Sequence, residues 1–268
     1  MRRAVLLLLV GALVLGCSSG TTPKSAEQAS PSASPSPTPP PAPVVGSCHR
    51  LGFAQAAQPT DATPPVSCTT LHTTQTVKVG QLAAVTAGQD LPVDSAEVRA
   101  KVAQACPAAL LRYAGGDLTA RRVSRLQVVS FTPSPDQVKA GASWFRCDIV
   151  GLAAANQLIR LPRQLKGALG AATALDRFGT CGTAAPGKPG FERVVCRRRH
   201  AWRAVDTVTL DSSARYLGAR ATAQGDGQCK DEAAARANGA LKYTWSFEWP
   251  TRDQWQAGQR YGYCWVPG

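Results

Sequence analysis

Two stretches of this chain read alike. The first is Asp136-Gln137-Val138-Lys139-Ala140-Gly141-Ala142-Ser143-Trp144-Phe145-Arg146-Cys147, and the second is Asp253-Gln254-Trp255-Gln256-Ala257-Gly258-Gln259-Arg260-Tyr261-Gly262-Tyr263-Cys264. Both follow Asp-Gln-x-x-Ala-Gly-x-x-aromatic-x-x-Cys at an offset of 117 residues, with five identities and one shared aromatic. A repeat of this kind is read before any local feature, because it sets the domain count and the meaning of every other motif.

Working outward, Cys106 corresponds to Cys229, Cys68 to Cys196 and Cys48 to Cys181. Cys68 and Cys196 each open a Cys-x-x-x-His, ending at His72 and His200, and a strand-like run follows each: Thr76–Val79 and Val205–Leu210. The nine cysteines therefore divide into Cys17 and two sets of four. The offset is 133 at the first cysteine, so the length differences fall between motifs, where loops absorb them.

Each copy reads as β-β-α-β-β, which predicts an α+β fold of two tandem disulfide-stabilised domains with mainly antiparallel sheets, 46–170 and 171–268. In the first copy the strands fall at Thr74–Val79, Arg125–Phe131 and Ser143–Leu152, with a further strand or amphipathic segment over Gln157–Leu165. The helix runs from Ala96 to Tyr113, capped by Ser95, kinked or broken at Pro107 and ended by Gly115-Gly116. In the second copy Gly179–Gly182 opens the unit. Strands fall at Phe191–Cys196, Val205–Leu210, Tyr243–Trp249 and Gln259–Val266, and the helix at Asp226–Ala237.

The N-terminus reads as an export signal over 1–16. Arg2 and Arg3 precede an apolar run, Ala4–Leu15, too short to span a bilayer with ease. Leu13-Val14-Leu15-Gly16-Cys17 resembles a bacterial lipobox, which implies cleavage before Cys17 and a diacylglycerol on its thiol; an ordinary signal peptide with a chance cysteine is the alternative. Residues 17–45 then form a Pro/Ser-rich tether, all Ser, Pro, Ala and Thr from Ser30 to Pro43, which cannot bury a core. Extended at ~3.1 Å per residue, such a tether reaches at most about 85 Å. The expected location is the extracytoplasmic face of the cell membrane, held by lipid.

That compartment makes disulfides the expected state of Cys48, Cys68, Cys106, Cys147, Cys181, Cys196, Cys229 and Cys264. Four cysteines allow three pairings per copy, and the sequence does not decide among them. The expected pattern joins neighbours on the opening strands, Cys48–Cys68 and Cys181–Cys196, and staples the helix to the last strand, Cys106–Cys147 and Cys229–Cys264; the shared order of the two copies favours bonds within a copy over bonds between copies. Without Arg2 and Arg3, Lys plus Arg falls from 30 to 28 against 17 acids, a formal charge of +11. Such a chain attracts anionic surfaces: envelope polymers, lipid headgroups or acidic septal proteins. It carries no nucleic-acid motif.

Gly-x-Cys, Val-x-Cys-x-x-x-His, a helical Cys and then Pro-x-x-x-x-Trp-x-x-Gly-x-Arg-x-x-x-Cys resemble the septum-formation domain of actinobacterial exported and lipid-anchored proteins. The second copy matches best, at Pro250, Trp255, Gly258, Arg260 and Cys264; the first has Val138 and Ser143 where Trp and Arg stand. Gln164-Leu165-Lys166-Gly167 resembles a tail seen in the family. Where the family often places an acid shortly after the His, this chain has Gln75 and Arg203. The resemblance implies a link to septum or envelope growth and does not imply a reaction.

Three chemistries compete at these motifs. Cys-x-x-x-His offers half a zinc site twice, but each half lacks further ligands and an oxidising compartment favours the disulfide. His49, His72 and His200 are the only histidines, and the one Gly-x-Ser-x-Gly run, Gly16–Gly20, lies at the expected signal cleavage site rather than in a strand–turn–helix elbow, so a turn role is the simpler reading than a catalytic base. Arg197-Arg198-Arg199-His200-Ala201-Trp202-Arg203 is the densest basic patch, and the first copy has Thr69-Thr70-Leu71 in its place. The bland reading is a solvated sheet edge; on charge density alone the patch is also the candidate anion- or partner-binding surface. Trp245, Phe247 and Trp249 alternate onto one face, as do Tyr261, Tyr263 and Trp265; core packing is the leading reading and a sugar- or peptide-binding platform the other.

The expectation is thus a lipid-anchored binding or scaffolding module with no catalytic residues, metal or cofactor. Arg197, Arg198, Arg199, Trp202 and Arg203 form its candidate surface. A wall-active hydrolase or zinc enzyme built on the Cys-x-x-x-His motifs is the competing expectation, and a purely structural lipoprotein the third.

Overall fold

The repeated stretches fold into the same small device. Pro135–Lys139 and Arg252–Gln256 are one-turn helices, each opened by a reciprocal capping box: Ser134 with Gln137, and Thr251 with Gln254. Each closes on an Ala cap followed by a glycine at positive φ, Gly141 (98°) and Gly258 (94°), a conformation that glycine adopts without steric cost. The closing bonds also correspond: Ala142 N donates to Gln137 O at 2.9 Å, and Gln259 N to Gln254 O at 2.9 Å. The shared Gln, Ala and Gly are therefore the caps of a turn that delivers the chain into its last strand.

A computed structural model describes residues 40–161, 163–211 and 215–268. The expected signal peptide, Cys17 and the tether as far as residue 39 lie outside the described residues. In chain order the first half holds β1 (Cys48–His49), α1 (Phe53–Ala56), β2 (Thr74–Gln81), α2 (Leu82–Thr86), α3 (Ala96–Ala105), α4 (Pro107–Ala114), α5 (Leu118–Val123), β3 (Leu126–Phe131), α6 (Pro135–Lys139), β4 (Trp144–Ala154) and β5 (Gln157–Leu158). The second holds α7 (Ala174–Phe178), β6 (Thr180–Gly182), β7 (Arg193–Val195), β8 (Trp202–Thr209), a 3₁₀ turn (Gly218–Ala221), α8 (Thr222–Arg236), β9 (Ser246–Glu248), α9 (Arg252–Gln256) and β10 (Tyr261–Pro267).

The protein is α+β with two antiparallel sheets, ordered β1-β2-β4-β3, with β5 on β4, and β7-β6-β8-β10-β9. Without β5 and β7 the two orders are the same. The correspondence extends to single residues. Cys48 bridges Val66 as Cys181 pairs with Val194. The register of β2 against β4 skips Val77, and that of β8 against β10 skips Val205.

Four disulfides staple the fold: Cys48–Cys68, Cys106–Cys147, Cys181–Cys196 and Cys229–Cys264. In the first half the helix is broken where Pro107 forbids continuation. Cys106 caps both pieces and carries the sulfur to β4. The helix of the second half starts at Thr222, earlier than Asp226, and takes in two glycines. β5 and β9 are shorter than their apolar patterns predict, because Trp245 and Trp249 pack from outside the ladder and Leu161 makes only an isolated bridge to His72.

One core lies between the first sheet and α3–α4, built on Val98, Val102, Leu110, Phe145 and Ile149 and closed by Leu165, Leu169 and Phe178. A second, under α8 and α9, gathers Val205, Val208, Phe247, Trp255 and the Cys229–Cys264 disulfide. Smaller clusters join the halves: Val123 of α5 packs with Ala204 and Trp265, and Ala154 of β4 with the Cys181–Cys196 disulfide. Backbone bonds cross as well, with Arg125 N donating to Phe178 O at 2.6 Å. The described residues form one compact unit.

Candidate binding surfaces

β7 ends at Val195 and β8 begins at Trp202, so the basic patch is a turn rather than a strand. Arg197, Arg198 and Arg199 are all exposed on it. Arg198 donates to Gln157 Oε1 at 2.7 Å, tying the turn to the first half. Arg203 is ion-paired with Asp176, and Trp202 is half-buried against the Val123–Trp265 cluster. Among the described residues Arg197 and Arg199 make no ion pair. The five candidates therefore separate into three that hold structure and two guanidinium groups presented to solvent.

The Cys-x-x-x-His motifs are a second repeated turn. Thr70 N donates to Ser67 O at 3.0 Å, and Arg198 N to Val195 O at 2.9 Å. His72 Nδ1 lies 2.9 Å from Thr70 O, and His200 Nδ1 lies 2.7 Å from Arg198 O. A carbonyl only accepts, so Nδ1 carries the proton in both rings. Both cysteines are oxidised, so neither motif presents a thiolate. Among the described residues no three His, Cys, Asp or Glu side chains converge as metal ligands. His72 is wholly buried, and its Nε2 has no partner.

Gln75, where the resemblance leads one to look for an acid, has a use that needs an amide. Its Nε2 donates to Gln164 Oε1 at 2.7 Å and to Gly46 O at 3.2 Å, while its Oε1 accepts from Leu165 N at 2.8 Å. A carboxylate has no hydrogen to give the first two acceptors. The Gln164–Gly167 tail is thus docked on the opening strands, with Leu165 fully in the core.

The aromatic strands serve mainly as core. Phe247, Trp255 and Trp265 are buried, and Trp245 and Trp249 flank the second core. Phe191 meets Trp265 edge-on at 5.4 Å, and Tyr261 meets Tyr263 at 5.5 Å.

One polar cluster was not singled out from sequence. Arg146 bonds Asp61 and lies 3.3 Å from Asp148, and the three side chains are 4%, 5% and 0% exposed. Thr76 and Thr74 donate to the two Asp148 oxygens at 2.8 and 3.2 Å. His49 donates from Nδ1 to Thr63 O at 3.1 Å. Burial pushes the Asp148 carboxyl up, with Arg146 opposing. Burial acts upward on Asp61 too, but its bonds to Thr63 and Arg146 outweigh it and hold this carboxyl low. Burial, reinforced by Arg146, lowers His49. The cluster is closed and clamps the 57–66 loop onto the first sheet. The available signal was that Arg146 and Asp148 flank Cys147 in a strand otherwise rich in apolar residues, which puts both charges on one face.

Fold and surfaces together describe a disulfide-stapled α+β protein with one buried ion cluster and, among the described residues, many Lys and Arg side chains outside any ion pair. The chain belongs to the septum-formation family, whose pattern it matches over residues 45–264. That membership points to a role in septum formation during cell division. No curated protein and no solved structure matched the chain.

Proposed function

We propose that the protein is a non-catalytic binding or scaffolding module of the septal envelope, held at the extracytoplasmic membrane face by lipid on Cys17. In this reading its folded part comprises two copies of one unit, and the second copy carries the binding turn. The supporting observation is the free pair Arg197 and Arg199. The first-half turn makes the same backbone bond with Thr69 and Leu71 in their places, so the guanidinium groups are not needed to form it. Two unneutralised cations on a turn anchored by the Cys181–Cys196 disulfide attract anionic envelope polymer or an acidic partner.

The test is sedimentation of the mature protein with purified cell-wall material at low ionic strength. Arg197→Ser/Arg199→Ser, leaving Arg198 to Gln157 intact, should fold normally and lose most of its retention. Retention equal to wild type would sink the reading. Independently, Cys17→Ser should move the protein from membranes to the soluble fraction of an expressing cell.

A further inference from the structure

The 3₁₀ turn before α8 and the one-turn helix α9 enclose an open cleft of about 470 Å³, lined by Arg215, Tyr216, Arg220, Arg252, Trp255 and Gln256. The three arginines are exposed and form no ion pair among the described residues, and no acid lines the cleft. Like charges gathered without a counter-charge repel, and no acid among the lining residues offsets that repulsion.

The aromatic wall explains how the cations are held. The Arg252 guanidinium lies 4.9 Å over the Tyr216 ring, and Tyr216 meets Trp255 edge-on at 6.2 Å. Arg260 lies 4.1 Å over Trp255 and bonds its carbonyl. Trp255 is 7% exposed, so it offers almost no free face for a sugar ring to stack on. The aromatics are a floor that orients guanidinium groups.

Comparison with the first half separates this chemistry from the demands of the fold. α6 has the same capping box and the same closing glycine as α9, yet it carries Pro135, Val138 and Lys139 where α9 carries Arg252, Trp255 and Gln256. Ser143 stands where Arg260 does. The turn forms without any of these groups.

We propose that this cleft is a binding site for a phosphate ester. Three guanidinium groups match a group with three or more acceptor oxygens and up to two charges, whereas a carboxylate, with two oxygens and one charge, is satisfied by a single fork. The cleft has room for a phosphate with a small polyol or sugar attached. Its lining comes from the segments that follow β8 and β9, none of it shared with the β7–β8 turn that bears Arg197 and Arg199, and it stands or falls separately from that surface.

Calorimetric titration of the mature protein with glycerol 3-phosphate at low ionic strength tests it. Wild type should show saturable one-site binding, and Arg220→Gln/Arg252→Gln should bind roughly tenfold more weakly or not at all. Arg197→Ser/Arg199→Ser should bind as wild type does. Arg220→Gln alone, which leaves the Tyr216 stack intact, guards against a local effect on α9. Phosphatidylglycerol vesicles, with phosphatidylcholine vesicles as blank and Cys17→Ser in every protein compared so that no acyl chain contributes, separate the sources. If the double variant loses vesicle binding as well, the site accepts a headgroup; if it loses only glycerol phosphate, the site takes a soluble or polymer phosphate. No saturable binding by wild type, equal binding of acetate, or unchanged binding by the arginine variants would overturn the proposal.

Discussion

Asp148 and Trp265 occupy the same place in the two sheets. Each directly follows the last disulfide cysteine of its half, and each is 0% exposed. The first half fills this position with a carboxylate bound by Thr74, Thr76 and Arg146. The second fills it with an indole that donates to Glu248 at 3.0 Å and packs edge-on against Phe191. One residue before the cysteine, Arg146 corresponds to Tyr263; Arg146 stacks 4.6 Å over Phe131, whereas Tyr263 has Arg193 5.5 Å over its ring. One sheet design thus encloses an ion cluster in one half and an aromatic cluster in the other, and the two should respond differently to mutation and to pH.

Arg146 is the hub of the buried cluster. Arg146→Met would leave Asp61 and Asp148 enclosed without their cation, and breaking a buried pair in this way costs about 3–5 kcal/mol. Urea unfolding of the oxidised protein should show that loss. A change below about 1 kcal/mol would mean that the two carboxyls are hydrated or protonated in the folded state.

His49 gives the protein a stability that falls with mild acid. Burial and Arg146 hold its folded pKa below the ordinary 6.5, so the unfolded chain takes up a proton before the folded one does. Stability from this group is present above pH 6.5 and is lost as pH falls below it. Asp148, pushed above its ordinary 3.8, acts in the opposite sense, adding stability as pH falls through its folded pKa toward 3.8. Unfolding free energy measured at about pH 7.5 and 5.5 should drop on acidification, and His49→Gln should flatten that drop. An identical slope in the variant would remove His49 as the cause.

Much of this architecture was legible in the sequence because cysteine spacing and cap residues are local. The Asp-Gln-x-x-Ala-Gly stretch encodes a capped turn, Cys-x-x-x-His encodes a turn closed by a ring N–H, and Pro107 encodes a helix break. The Arg197–Arg203 patch was visible as charge density, but its division into tied and free arginines depends on Gln157 and Asp176, 41 and 27 residues away. The Asp61–Arg146–Asp148 cluster was hidden for the same reason, since Asp61 lies 85 residues from Arg146 in an unremarked loop. The Arg220–Arg252 cleft escaped notice because neither arginine belongs to a charge run.

Gly225 and Gly262 face the same ring. A Cβ on either would lie 2.4 Å from Phe247, which is itself buried. Ala at either position should cost about 1–3 kcal/mol through overpacking. Gly227 lies two residues along the same helix with nothing within 4 Å, so Gly227→Ala should gain about 0.8–1 kcal/mol from helix propensity alone. Thermal unfolding of the three variants checks the contrast. A stabilised Gly225→Ala would mean that Phe247 can move aside.

The disulfides offer a comparison in which packing nearly cancels. Cys106–Cys147 closes 41 residues and Cys181–Cys196 closes 15. All four cysteines are buried, at 2%, 0%, 0% and 8% exposure, so replacing either pair with Ala empties a similar volume. What differs is the freedom returned to the unfolded chain, which grows with the loop: about 4 kcal/mol for the longer and about 3 kcal/mol for the shorter. Cys106→Ala/Cys147→Ala should therefore destabilise by about 1 kcal/mol more than Cys181→Ala/Cys196→Ala in matched urea titrations. The reverse order would show that the Cys181–Cys196 bridge stabilises through its contact with Ala154, at the junction of the two halves, more than through loop closure.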